Sequence, residues 1–92
     1  MTFEQENEFI EKYYDKCVKI VTKDLVVFGR ISFLESYCDT DDGKTCTSVS
    51  YLDKDICEAV DGDEIEKIEL VNESICKKYN FPINIKDLKL YL

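Results

Sequence analysis

Apolar side chains recur at helical spacing over the first fifteen positions, then alternate as in strands from about residue 17 onward. Thr2 followed three residues later by Gln5 matches a capping box, and Glu4, Glu6 and Glu8 suit the positive end of a helix. Phe3, Phe9, Ile10, Tyr13 and Tyr14 form one rough apolar stripe. The pattern predicts a helix over 1–15 that packs on a core, docking of a partner being the second reading.

The alternating region divides at turn-forming residues. Cys17 to Thr22 is a predicted strand closed by Lys23-Asp24, and Leu25 to Glu35 a long second strand. Val27, Ile31 and Phe33 are expected on one face of that strand, with Val26, Phe28 and Leu34 on the other. Apolar residues on both faces need two surfaces to bury against. Gly29 in the middle permits a sharp bend, so that one strand can serve both halves of a small barrel.

A polar loop follows over Ser36 to Lys44, then a strand over Thr45 to Leu52. Asp53-Lys54-Asp55 turns the chain into Ile56 to Val60, and Asp61-Gly62-Asp63-Glu64 makes a tight connection to Ile65 to Val71. Five strands with short connections predict a mainly β fold, a five-stranded bent antiparallel barrel of SH3-like or Sm-like type. Asn72 is placed to cap a short helix ending before Asn80-Phe81-Pro82. Ile83, Ile85, Leu88, Leu90 and Leu92 read as an extra strand with a slip between 85 and 88. The 92 residues form one domain: helix 1–15, barrel 16–71, and helix/strand extension 72–92.

Charge narrows the function classes. Twenty acidic residues against twelve basic ones leave a net charge of -8, and Arg30 is the single arginine. Nucleic-acid affinity comes largely from cations that displace condensed counterions, so this composition disfavours a polyanion partner. No apolar run approaches a membrane span, and the N-terminal residues do not read as a signal peptide; a cytoplasmic location is expected.

The five cysteines, Cys17, Cys38, Cys46, Cys57 and Cys76, are odd in number and show no C-x-x-C spacing. Histidine is absent. Reduced thiols acting as small hydrophobes are expected, with no structural zinc. A thiol redox role rests on cysteine count alone. Asp39, Asp41, Asp42 and Gly43 have the composition of a calcium loop, but the register puts Cys38 first and Val49 last, where Asp and Glu belong; a solvated turn accounts for them. No nucleophile–base pair, Gly-rich phosphate loop or nucleophile elbow is present, so the chain reads as a non-enzyme that needs no cofactor or metal.

A helix, then Val18-x-Ile20, the turn Lys23-Asp24, Val27-Phe28-Gly29-Arg30-Ile31 and the closing Asp63-Glu64-Ile65-Glu66-Lys67-Ile68-Glu69-Leu70 together resemble the Sm-like (LSM-type) domains. The short bacterial proteins of that type are the nearest in pattern, and a generic SH3-like barrel shares several of these features. The resemblance runs from Asp15 to Val71, about two-thirds of the chain. It implies a homo-oligomeric ring in which the fourth strand of one subunit pairs with the fifth of the next. Ile56, Glu58, Val60, Ile65, Glu66 and Ile68 would then lie at the subunit edge. It also implies two ligand loops for uridine- or adenine-rich RNA.

The first loop is Tyr37-Cys38-Asp39-Thr40-Asp41-Asp42, where Tyr37 is placed to stack on a base but the family's asparagine is missing. The second is Asp61-Gly62-Asp63, which keeps the glycine and replaces the cation with anions. The resulting expectation is a non-catalytic Sm-like binding module, oligomeric, with weak or absent RNA affinity and no DNA or membrane contact. The alternative is a protein-interaction or regulatory module on the same barrel.

Overall fold

In the computed structural model, which describes residues 1–91, α1 (Phe3–Tyr13) starts at the predicted capping box. Thr2 Oγ1 accepts from the Gln5 amide at 3.2 Å, and the Gln5 side chain accepts from the Thr2 amide at 2.9 Å. Asp15, with φ 58°, reverses the chain in the left-handed region that aspartate tolerates better than most residues. Arg30 Nη1 holds that turn by donating to the Asp15 carbonyl at 2.9 Å.

One antiparallel sheet follows, built from β1 (Cys17–Val21), β2 (Leu25–Glu35), β3 (Cys46–Ser50), β4 (Cys57–Asp61) and β5 (Lys67–Leu70). Their order is β4-β3-β2-β1-β5. A 3-10 turn, Gly62–Glu64, joins β4 to β5. The short helix α2 (Glu73–Lys78) comes next; Asn72 precedes it with an extended backbone but makes no side-chain cap bond.

The sheet does not close into the expected barrel: β4 and β5 stand at its two ends and do not pair with each other. The two apolar faces of β2 are instead buried by different partners. Val27 and Ile31 join Phe9, Val18, Ile20, Val49, Tyr51 and Val60 in one cluster beneath α1. Val26 and Phe28 join Cys17, Cys76, Tyr79 and Ile83 in a second, under α2 and the C-terminal segment. A helix and a returning tail thus provide the second surface that barrel closure was expected to supply.

Ser32 corrects the predicted faces of β2. Ile31 pairs with Val49 and Phe33 with Ser48, so one extra residue is inserted and the alternation flips. Leu34 therefore packs against the first cluster with Val27 and Ile31, and Phe33 is 57% exposed. Gly29 answers to close approach: a Cβ there would lie 2.6 Å from the Ser50 carbonyl oxygen and 2.7 Å from Val49 Cγ1.

The tail is not the predicted strand. Only β6 (Ile83–Asn84) pairs, with Leu25 and Val26, on the stretch of β2 edge that β3 leaves open before Arg30. Asn84 then accepts from the Lys86 amide and starts a 3-10 turn, Ile85–Asp87, running into α3 (Leu88–Tyr91). The slip between 85 and 88 is helical spacing. Leu92, the last residue of the predicted strand, lies outside the described residues. Among those described, no helix is long and apolar enough to cross a membrane.

Candidate functional site: two acidic loops and two open strand edges

The loop after β2 is held by a buried carboxylate. Glu6 sits on the inward side of α1, one turn before Phe9, and is 3% exposed. It accepts from the Ser36 hydroxyl at 2.8 Å, from the Tyr37 amide at 3.0 Å and from the Thr45 hydroxyl. Burial works against its charge. The hydrogen bonds from Thr45, Ser36 and the Tyr37 amide outweigh that penalty and keep its pKa below the ordinary value. Glu6 thereby fixes both ends of the 36–45 loop to α1.

That anchoring brings the two candidate ligand loops together. Cys46 pairs with Asp61, the Gly62 amide donates to the Thr45 carbonyl at 2.8 Å, and Lys44 Nζ lies 3.9 Å from Asp61. A shallow pocket of about 370 Å³ beside them is lined by Glu35, Thr40, Asp41, Asp42 and Cys46. The Cys46 thiol records this field: burial first, then Glu35, Asp61 and Asp42, raise its pKa. Asp39 is exposed, and Asp63 meets the N-terminal ammonium at 3.4 Å. Tyr37 is half-buried with its ring centroid 4.9 Å from that of Phe3, so the face expected to stack on a base is shared with α1.

The second feature is the pair of open edges. Tyr51 N–H donates to Ile56 O and Gly62 N–H to Thr45 O. By the alternation of an antiparallel ladder, the backbone groups of Cys57, Ala59 and Asp61 then point away from β3. On β5, Val71 N–H donates to Cys17 O, which turns Ile68 and Leu70 outward. Of the six residues expected at the edge, Ile68 therefore presents its backbone there. Ile56, Glu58 and Val60 direct theirs to β3, Val60 burying its side chain in the first cluster. Ile65 packs against that cluster just before β5, and Glu66 donates its amide to Val21 O. Glu58 is half-buried beside the Tyr51 ring, whose hydroxyl burial and the Glu58 charge push up in pKa.

The described residues contain no group of three or more Cys, Asp or Glu side chains placed to hold a metal ion. All five cysteines are free thiols. What the arrangement offers is an acidic, rigidly held loop pair and two unpaired strand edges. Reading by charge alone missed Glu6, which looks like one more helix-start acid. Its spacing was the available signal, since Glu6, Phe9 and Tyr13 share one helix face.

No protein-family model, no curated protein and no solved structure matches the chain.

Proposed function

We propose that this protein is a non-catalytic binding module of Sm-like type that assembles with copies of itself through β4 and β5, with little or no contact to RNA. The observation that carries the reading is the pair of unpaired edges at opposite ends of one sheet. Two different edges on one subunit make a head-to-tail contact, which closes into a ring when the rotation per subunit permits. These are also the strands through which the resembled family joins its subunits. Unpaired edges template further pairing unless covered, and neither strand here carries proline.

The acidic loops oppose RNA, because carboxylates beside phosphate add repulsion where counterion release is needed. Arg30 is committed to the Asp15 turn, and Lys44 lies against Asp61.

A second reading, a protein-interaction module, is favoured by the outer side of α1. Phe3 and Ile10 on α1, and Tyr14 immediately after it, are 54%, 40% and 50% exposed. The substitution Ala59→Pro tests the assembly reading. Its N–H points to the open edge, so proline removes an intersubunit donor and no β3 bond. The expected result is loss of the oligomer with unchanged circular dichroism. An oligomer that persists in the folded variant would count against β4 pairing.

A further inference from the structure

Two of the five cysteines belong to the second core cluster. Cys17 begins β1 and faces α2, while Cys76 in α2 is fully buried in the same cluster. The Cys76 thiol lies 3.8 Å from the Val18 carbonyl and 3.7 Å from the Gly29 carbonyl. Val18 directly follows Cys17 in β1, so the Cys76 sulfur lies beside the segment that carries Cys17. The other three thiols stand apart from this pair: Cys38 and Cys57 are exposed, and Cys46 lies in the acidic loop pocket.

We infer that Cys17 and Cys76 are a dithiol–disulfide site that, when oxidised, staples α2 and the C-terminal segment to β1. Burial and the Cys17 thiol push Cys76 up to about 12, so it remains a thiol at neutral pH. Cys17 is 9% exposed and Cys76 0%, so Cys17 is the more accessible of the two to an oxidant.

With a hydroperoxide, Cys17 takes the terminal oxygen to become a sulfenic acid, and the alcohol leaves. Cys76 then attacks that sulfur, its thiol proton departs with the hydroxyl as water, and the S–S bond forms. Two electrons pass from the sulfurs to the peroxide in all. The step is slow, because α2 must loosen to ionise Cys76. Once made, the bridge is shielded from reductants by the same burial.

The site is independent of subunit assembly and is read within one chain. The test uses the full protein with Cys38, Cys46 and Cys57 replaced by serine, treated with hydrogen peroxide. The expected product has lost two hydrogens in mass and contains a Cys17–Cys76 cross-linked peptide. Its Tm rises by roughly 10 °C, and dithiothreitol reverses the change. Sulfinic acid at Cys17 without a bridge, or no intramolecular cross-link, would overturn the inference. If the triple variant does not fold, the unaltered protein is oxidised and mapped by differential alkylation. A bridge between any other pair would then be the contrary result.

Discussion

The hydroxyl of Thr45 donates to the carboxylate of Glu6, 39 residues earlier in the chain, and both side chains are buried. This bond, with those from Ser36 and Tyr37, makes the position of the first ligand loop a property of α1. Replacing Glu6 with alanine leaves the buried Thr45 hydroxyl and the half-buried Ser36 hydroxyl and Tyr37 amide without their acceptor. The expected loss is about 3 kcal/mol of unfolding free energy, measured by urea titration. Glutamine should recover part of it, since its carbonyl can still accept.

The same carboxylate sets a pH dependence. Its folded-state pKa is depressed below the usual 4.5, so its stabilising contribution is complete above that value. It is lost as pH falls through the lower folded value, because the unfolded chain then binds the proton more readily. Urea midpoints of the wild type should fall on going below pH 4.5, and Glu6→Gln should fall less. Parallel slopes in the two proteins would assign the acid sensitivity to other groups.

Gly29 is held by a neighbouring strand rather than by an unusual backbone angle. A methyl group there collides with the Ser50 carbonyl and with Val49, and the first of these is backbone that cannot rotate away. Gly29→Ala should cost roughly 3 kcal/mol and disturb the β2–β3 pairing near Arg30 and Ser50. Amide exchange at Arg30 and Ser50, which pair across β2 and β3, compared with α1 amides, reports whether the damage is local to that crossing.

Oligo-U and oligo-A should bind weakly at the paired loops. Fluorescence anisotropy at low salt is expected to give Kd values weaker than roughly 100 µM. Changing Asp39, Asp41 and Asp42 together to lysine should tighten binding and make it salt-sensitive. Tight, salt-dependent binding by the unaltered protein would show that cations elsewhere override the loops.

Much of the fold could be read from periodicity. The capping box at Thr2 and Gln5, the switch to alternation at Cys17 and the turn at Lys23-Asp24 are local signals, and the elements form there. Closure of the sheet was not legible, since whether β4 and β5 meet depends on how distant segments cover β2. Ser32 shows the limit within a single strand: one inserted residue exchanges Leu34 for Phe33 in the core, and nothing in its composition announces a bulge. For the ligand loops, charge was readable from sequence. The occupation of the Tyr37 ring by Phe3 required a tertiary contact to see.

The central claim, self-assembly through open strand edges, is tested most directly by the mass of the native particle. Light scattering on the unaltered protein at tens of micromolar should report a discrete multiple of the 10.8 kDa chain, unchanged by nuclease treatment. A single species at 10.8 kDa would contradict it, and would mean that β4 and β5 remain uncovered in solution.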